Sequence, residues 1–344
     1  MIVSNRKILQ GTLALFAHAR TTLRLVLAGS VLVVASLAPP HAEAQTFPTR
    51  PIRIVVGFSP GGAPDIIARM IAVRLTEVLG QPIVIDNKPG ATGNIAADMV
   101  AKSAPDGYTL LLGNVSLSIG ASWSPKPPFD PAKDFEPVGM VVSLPLILVV
   151  NSDNPAKSLS ELIQISRAKP GSLNYASVGQ GSPHHLSGEM LSNLAGAKMV
   201  HIPYKGGGQA IQGVLARETD MLFITPLAAL PHVRAGKLRA LIVTSTSRSA
   251  AAPEVPTALE AGLAGFEVDN WHALLAPRNT PQVVIARLNA ALNQVLGTPE
   301  LKQQLIAQQG AEAWISTPEK AGAHIRAETT KWANIVKTSG IKLE

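Results

Sequence analysis

Three glycine-containing loops carry the residue types best suited to holding an anion. They are Ser59 to Asp65, Asn87 to Asn94, and Ser177 to His185, the last with Gly179 and Gly181. Each follows a short apolar run and precedes a segment of helical periodicity, so each is predicted to join a strand to a helix. Glycine lets the main chain approach a ligand closely, and the unpaired N–H groups of a helix N-terminus favour negative charge. The loops therefore predict an anion-binding site.

Ordinary turn chemistry is the alternative interpretation of each loop, because Gly and Pro occur wherever a strand turns into a helix. Three such loops, two in the first half of the chain and one in the second, favour a shared site between two domains. Asp65 is interpreted either as a helix cap or as a ligand contact, and the same two interpretations apply to Ser182.

Further polar and aromatic side chains follow predicted strands or flank the loops. They are Asn114, Ser116, Tyr204, Thr225 and the pair Trp271-His272. The Asn and hydroxyl groups suit a second carboxylate or a hydroxyl of the ligand. Tyr204 and the Trp-His pair either line a pocket or are core or hinge side chains.

Signatures of catalysis are weak in this sequence. It contains no cysteine and no G-x-S-x-G nucleophile turn, and Gly57-x-x-x-Gly61-Gly62 matches neither nucleotide-binding pattern. His185 and Glu189 stand four apart on a predicted helix and suit a shared metal, but they lack the H-E-x-x-H order. A packed or hydrogen-bonding histidine is the favoured interpretation. The sequence thus predicts a protein that is not an enzyme and has no metal or cofactor.

Length and composition agree with a globular binding protein. The 344 residues are 46% hydrophobic and 15% charged, enough for one large domain or two ordinary ones. The charges are scattered and only 4% of residues are aromatic, so a nucleic-acid partner has little support.

The N-terminus has the order of a secretory signal. Arg20 and Arg24 precede the uncharged run Leu25 to Ala38, and the small-residue signature Ala42-Glu43-Ala44 follows. A transmembrane anchor is the alternative, but 14 residues span only about 21 Å of a hydrocarbon core about 30 Å thick. We predict that residues 1–44 are a signal peptide. Without cysteine the mature chain has no lipid-anchoring residue, so we expect a freely diffusing periplasmic protein.

Strand-like and helix-like segments alternate along the mature chain, which favours βα units around mostly parallel sheets. The predicted strands are Ile52–Phe58, Pro82–Asp86, Tyr108–Leu112, Val138–Val142, Leu146–Val150, Leu173–Ser177, Met199–Ile202, Met221–Ile224, Leu238–Thr244 and a return strand pair within Phe266–Leu275. The predicted helices are Pro64–Leu79, Ile95–Lys102, Ser158–Ala168, Pro183–Leu194, Gly208–Arg217, Leu227–Ala235, Pro281–Leu296, Pro299–Gln309 and Pro318–Thr338.

An ordered set of motifs resembles the substrate-binding receptors of tripartite tricarboxylate transporters, the Bug or TctC-like family. The motifs are the segments 58–65 (FSPGGAPD), 87–94 (NKPGATGN), 104–110 (APDGYTL), 181–186 (GSPHHL) and 201–206 (HIPYKG). The resemblance covers essentially the whole mature chain. This sequence departs from the family at Pro64, where a small or hydroxyl residue is usual, and at Lys88, where Arg is common.

The resemblance implies an α/β periplasmic binding protein of the Venus-flytrap type, with the ligand between two domains. Domain 1 would comprise residues 45–148 and 271–344, and domain 2 residues 149–270. Gly61, Gly62 and Asp65 would hold a carboxylate, with Thr92 and Gly93 beside them. The expected contacts are, in the first domain, Phe58, Gly61, Gly62, Asp65, Thr92, Gly93, Asn114 and Ser116, and in the second Ser177, Gly181, Ser182, His185, Tyr204 and Thr225.

The implied function is to bind a small organic carboxylate and deliver it, as a monomer, to the permease subunits of a tripartite tricarboxylate transporter. Two alternatives stay open from the sequence. A periplasmic sensor that feeds a receptor kinase would have the same motifs, and an enzyme acting on small organic acids would need a catalytic group.

Overall fold

Two separate β-sheets and their flanking helices make up the fold of the computed structural model, which describes residues 47–122 and 126–339. The predicted signal peptide lies outside these residues. The strands are β1 (Ile52–Val56), β2 (Ile83–Asn87), β3 (Thr109–Asn114), β4 (Phe135–Ser143), β5 (Ile147–Asn151), β6 (Leu173–Ser177), β7 (Met199–Pro203), β8 (Met221–Ile224), β9 (Leu238–Val243), β10 (His272–Pro277) and β11 (Glu312–Ala313).

The helices mostly follow strands, as βα units require. They are α1 (Ala63–Leu79), α2 (Asn94–Ala101), α3 (Val115–Gly120), α4 (Leu159–Ala168), α5 (Pro183–Ala195), α6 (Gly207–Leu215), α7 (Pro226–Arg234), α8 (Gln282–Gly297), α9 (Pro299–Gln309) and α10 (Pro318–Ser339). A short 3₁₀ helix, Ala91–Gly93, precedes α2.

The first sheet has the strand order β11-β4-β10-β3-β1-β2, and the second has the order β7-β6-β8-β5-β9. We call the first sheet with α1–α3 and α8–α10 the first lobe, and the second sheet with α4–α7 the second lobe. Strands β1, β2 and β3 pair in parallel, as do β6, β7 and β8. The remaining pairings are antiparallel, because β4, β5 and β10 belong to the segments that cross between the sheets. The predicted α/β fold of the two-sheet binding-protein type is confirmed.

Two chain segments connect the sheets. The first runs from β4 to β5, and the second returns from β9 to β10. They lie side by side, since the N–H of Leu144 donates to Asp269 Oδ1 at 2.8 Å and the N–H of Leu146 donates to Thr244 Oγ1 at 2.8 Å. Hydrogen bonds to side chains thus replace some of the main-chain hydrogen bonds that would join these two segments in a continuous sheet.

Helix α10 packs on β4 and α3 of the first lobe and also on α5 of the second. Its Glu328 accepts hydrogen bonds from two indoles, Trp271 Nε1 at 3.2 Å and Trp332 Nε1 at 3.0 Å. Both tryptophans are fully buried. The core cluster that contains them continues into the second lobe as far as Tyr175 and Phe223.

Two sequence-based expectations differ from the structure. The return strand pair predicted within Phe266–Leu275 is wrong: β10 starts at His272, and residues 266–271 form only the isolated bridge between Pro145 and Asp269. The alternation of buried Phe266 and Val268 with exposed Glu267 is typical of a strand, but here it belongs to the crossing segment and pairs only at that bridge. Helix α3 was not predicted, since its six residues are all buried and show no amphipathic period.

Candidate functional site

The carboxyl ends of the parallel strands in both sheets meet the crossing segments. His272, the first residue of β10, pairs with Asn114, the last residue of β3. In the second sheet, Ile147 at the start of β5 pairs with Ile224 at the end of β8. The loops that follow β1–β3 and β6–β8 therefore lie at the edge of each sheet that meets the crossing segments. This is the edge at which ligands bind in open α/β sheets.

The first loop is organised around the buried carboxylate of Asp65, which is only 3% exposed. Asp65 accepts the N–H of Gly61 at 2.9 Å, Arg69 Nε at 3.0 Å and Asn87 Nδ2 at 3.0 Å. Gly61 has φ +82°, a conformation that side-chain-bearing residues rarely adopt. Asp65 thus closes the loop on itself but does not cap the helix, because it lies in the first turn of α1 and the N-cap Gly62 has no side-chain cap.

Electrostatics keep that carboxylate ionised. Burial acts to raise the pKa of Asp65, but hydrogen bonds from Arg69, Gly61 and Asn87, together with the charge of Arg69, outweigh burial and hold the pKa below its ordinary value. Arg69 lies on α1, four residues after Asp65. Its side chain is 54% exposed, yet its guanidinium also forms an ion pair with Asp65.

Main-chain N–H groups after Gly61 are the donors that remain for a ligand at this loop. Gly62 precedes α1 in an extended conformation without a side-chain cap. Its own N–H is 3.4 Å from the Ser59 carbonyl, a long hydrogen bond. The N–H groups of Ala63 and Asp65 lie in the first helical turn, where no intrahelical acceptor exists. N–H groups in this position are suited to binding an anion.

The second loop has an unusual run of left-handed residues, Gly90, Ala91, Thr92 and Gly93, with φ values of 138°, 47°, 54° and 95°. A β-branched residue such as Thr92 is strained there, and such strain occurs often at ligand-binding positions. The loop packs directly on the first one, because a Cβ on Gly57 would lie 2.6 Å from Gly93 Cα. Phe58 covers Gly93 with its ring. The structure therefore brings these predicted site residues together.

Side-chain amides fasten the same two loops. Asn87 Nδ2 also donates to the Phe58 carbonyl at 3.0 Å, and Arg69 donates to Asn87 Oδ1 at 3.3 Å. Arg69 and Asn87 were not among the predicted site residues. The spacing of Asp65 and Arg69 on a helix could have indicated the ion pair, whereas nothing in the sequence pairs Asn87 with either.

In the second lobe the loop after β6 is held by its own side chains. The Ser177 hydroxyl accepts the N–H of Gly179 at 3.0 Å, and the Ser182 hydroxyl donates to the Gly179 carbonyl at 2.7 Å. The Ser182 oxygen also accepts the N–H of His185 at 3.3 Å, so Ser182 is the N-cap of α5. Gly181, with φ +69°, donates its N–H to His185 Nδ1 at 3.1 Å.

Beneath this loop lies a stack of aromatic rings. The imidazoles of His185 and His201 stack with centroids 3.8 Å apart, and His201 Nε2 is 2.6 Å from the Ser177 hydroxyl. Because Nδ1 of His185 accepts a hydrogen bond, its proton resides on Nε2, which faces Glu189 Oε1 at 3.8 Å. Glu189 accepts a hydrogen bond from the Tyr175 hydroxyl at 2.5 Å.

Burial keeps these rings neutral. It lowers the pKa of His185 to about 3, with a further contribution from His201, and it lowers the pKa of His201 to about 4. Burial likewise raises the pKa of Glu189, against the hydrogen bond from Tyr175. The ring that accepts the glycine N–H in the second lobe is thus neutral, whereas the acceptor in the first lobe is part of an ion pair.

The other predicted contacts have mixed positions. Asn114 Oδ1 accepts the N–H of Ser116 at 3.2 Å, so Asn114 caps α3 at the ligand edge. Thr225 precedes α7 at the end of β8, also at that edge. The hydroxyl of Tyr204 instead packs against Gly213 of α6 and donates to Glu218 at 3.4 Å. The main-chain N–H of Tyr204 donates to the Ser177 carbonyl of the third loop at 3.0 Å, so only its side chain is turned toward α6.

Within residues 47–122 and 126–339, no three or more His, Cys, Asp or Glu side chains cluster closely enough to hold a metal ion. The same part of the chain has no helix that is both long and apolar enough to cross a bilayer.

Comparison with known proteins identifies what the chain is similar to. The family model described as the tripartite tricarboxylate transporter family receptor, TctC, matches residues 67–341. The solved structure of the periplasmic binding protein BugD is 34% identical with a TM-score of 0.72, over 86% of this chain and 99% of its own.

Two similar structures contain ligands. The R. palustris protein Rpa4515 with adipate is 35% identical, with a TM-score of 0.75, over 86% of this chain and 99% of its own. MatC from Rhodopseudomonas palustris, with bound malate, is 34% identical with a TM-score of 0.71, over 84% of this chain and all of its own, 100%. Both ligands are small dicarboxylates.

Proposed function

This chain belongs to the tripartite tricarboxylate transporter receptor family, TctC, and we propose that it binds a small organic carboxylate and delivers it to a membrane permease. It works in the periplasm after removal of residues 1–44 and has no catalytic step of its own. The receptors that it resembles are solute-binding proteins, two of them bound to adipate and malate.

One observation supports this function most strongly. The N-terminal turns of α1 and α5 follow β1 and β6, whose carboxyl ends lie at the edge of each sheet that meets the crossing segments. Each turn offers main-chain N–H groups and the positive end of a helix dipole. A carboxylate bound between them would contact both lobes at once.

We propose that the lobes act as domains, residues 45–148 with 271–344 and residues 149–270, that close on the ligand. Closure needs a place to bend, and the crossing segments suit this because Asp269 and Thr244 side chains replace part of their main-chain bonding. Ligand contacts made only in the closed form would shift the population toward it.

The proposed carboxylate contacts are main-chain N–H groups. Gly61 gives its own N–H to Asp65, so the groups of Gly62, Ala63 and Asp65 are the better donors. Thr92 and Gly93 border this station, and the turn at Ser182 approaches from the other lobe. Charge-assisted hydrogen bonds contribute about 1.5 to 3 kcal/mol each, so three or four supply much of the ~8 kcal/mol of micromolar binding.

A thermal-shift screen tests the function directly. The mature protein is heated with adipate, malate, citrate and aromatic carboxylates, and with the corresponding amides as uncharged controls. A carboxylate present at 100 times its dissociation constant adds about 2.7 kcal/mol to the free energy of unfolding. Stabilisation by one or more acids but by none of the amides is the expected result, and stabilisation by no carboxylate would refute the proposal.

Transport is tested separately, in the source organism. Deletion of the receptor should abolish uptake of the acid that binds. Normal uptake after deletion, together with clear binding, would contradict delivery to a permease and favour a sensory role.

A further inference from the structure

The negative charge of Asp65, beside the proposed carboxylate-binding N–H groups, opposes the binding of an anion there. Asp65 is buried, and its carboxylate holds the N–H of Gly61 immediately before the N–H groups that would bind the ligand. Its pKa is below the ordinary value, in spite of burial, so it carries a negative charge at neutral pH. Two like charges in so small a space repel each other, and the low local dielectric increases the repulsion.

Arg69 is the group placed to cancel that charge. Its Nε lies 3.0 Å from both oxygens of Asp65, and its terminal nitrogen lies 3.0 Å from Oδ1. An arginine is always protonated, so the pair has no net charge at any ordinary pH. The same terminal nitrogen also donates to Asn87 Oδ1 at 3.3 Å, which ties the pair to the start of the second loop.

The second lobe needs no such cation. There the side chain that accepts the glycine N–H is His185, a neutral ring, and the residue one helical turn later is Glu189. The need for an arginine is thus specific to the loop that uses a carboxylate.

We propose that Arg69 is a specificity-determining positioning residue, which makes the first loop accept anionic ligands by neutralising Asp65 and fixing it to Asn87. The proposal rests on the carboxylate-binding function above. Arg69 does not contact the ligand in this scheme, so it acts only through Asp65 and the loop.

Calorimetric titration of three variants tests it, with the acid that stabilises the wild-type protein best as the probe. Arg69→Met should weaken carboxylate binding on the order of tenfold to a hundredfold at pH 7.5, because the charge of Asp65 is then unmasked. The double variant Arg69→Met with Asp65→Asn should regain most of that loss. Asparagine keeps an oxygen to accept the N–H of Gly61 but has no charge.

The pH dependence of binding gives a second measurement, which would not change if Arg69 had only a structural role. In Arg69→Met the pKa of Asp65 rises, since burial then opposes fewer hydrogen bonds. Binding by this variant should therefore improve relative to the wild type as the pH falls toward about 4, near the ordinary carboxyl pKa. The comparison is with the wild type because protonation of the ligand weakens binding to both proteins.

Arg74→Met is the matched control. Arg74 lies on the same helix and bonds the Met70 carbonyl and Gln304, away from Asp65. It should bind like the wild type. Equal affinity of Arg69→Met and wild type, or no recovery in the double variant, would overturn the proposal while leaving the proposed function intact. Failure of the wild type to bind any carboxylate would overturn both.

Discussion

The loops after β1 and β6 share one geometry and differ in charge. In each, a glycine with positive φ donates its N–H to the side chain four residues later, from Gly61 to Asp65 at 2.9 Å and from Gly181 to His185 at 3.1 Å. The acceptor is an ionised carboxylate in the first loop and a neutral imidazole in the second. The same turn geometry is therefore stabilised by a charged acceptor in one loop and by a neutral acceptor in the other.

In each loop, the residue four positions after the acceptor suits the charge of that acceptor. Arg69 follows Asp65 and pairs with it, whereas Glu189 follows His185 and faces its Nε2–H. Either side chain can supply the acceptor that shapes the turn, but each needs a neighbour of suitable charge. Loop shape and loop charge are thus set by different positions.

The two loops also differ in how they are supported. The first packs on another loop, through the close approach of Gly57 to Gly93. The second is fastened internally by the hydroxyls of Ser177 and Ser182. Contacts between loops should therefore matter more in the first lobe.

Exchanging the acceptors is the strongest way to break this comparison. His185→Asp places a carboxylate in a buried site that has Glu189 one turn away and no arginine. We expect a loss of about 3 kcal/mol or more, since an unpaired buried charge is strongly destabilising. Urea denaturation measures the loss, and adding Glu189→Arg should recover part of it. A His185→Asp protein as stable as the wild type would show that the charge pairing is irrelevant.

Separating the first-lobe loops has the next largest effect. In Gly57→Ala the new Cβ would meet the Gly93 backbone at 2.6 Å, so one loop must move. We expect a loss of about 1 to 3 kcal/mol in stability, as for other overpacked sites. Weaker ligand binding should accompany it, because Thr92 and Gly93 shift.

Gly297→Ala at the end of α8 is the control for this change, since its Cβ would meet nothing within 4 Å. It should leave melting temperature and affinity close to the wild-type values. Unchanged affinity in Gly57→Ala would argue against a shared cradle of the two loops.

For each residue concerned, mild acid gives the smallest effect, and it distinguishes the turn that begins α5 from the turn that begins α1. Burial lowers the pKa of His184 to about 4 and, together with nearby His201, that of His185 to about 3, so protonation favours the unfolded chain. The stability that each neutral ring supplies is complete above pH 6.5 and is lost as the pH falls below it. At pH 5.5 the loss is about 1.4 kcal/mol for each such histidine.

Glu189 acts in the opposite direction, because its raised pKa favours proton uptake in the folded state. Asp65, whose pKa is lowered, contributes stability that is lost only as the pH falls below about 4. Hydrogen exchange between pH 7 and 5 should therefore loosen α5 before α1. Loosening of α1 first would contradict the assignment of charges.

Most of the fold was predictable because strands and helices alternate with clear periodicity. The helix predicted at Pro64–Leu79 differs by one residue from Ala63–Leu79, since Pro and Gly mark its two ends. The failures have two causes. Residues 115–120 are all buried, which removes the period that would indicate a helix, whereas residues 266–268 alternate buried and exposed side chains like a strand without pairing along a sheet.

The loops of the proposed site were predictable because their shape depends on the main chain. Glycine patterns located all three loops, because positive φ leaves few other choices of residue. The side-chain networks were less visible. Asp65 and Arg69 are four apart, but His185 and His201 meet across strands and their stacking depends on tertiary structure.

The shared carboxylate of Glu328 has an optical consequence. Trp271 lies on the segment that returns from the second lobe, and its indole N–H and that of Trp332 donate to the same acid. Any bending there alters the polarity around an emitting indole. Trp271 is thus an intrinsic fluorophore on a crossing segment. Under the proposed closure, a shift in its emission on adding substrate would report the motion of the unlabelled protein.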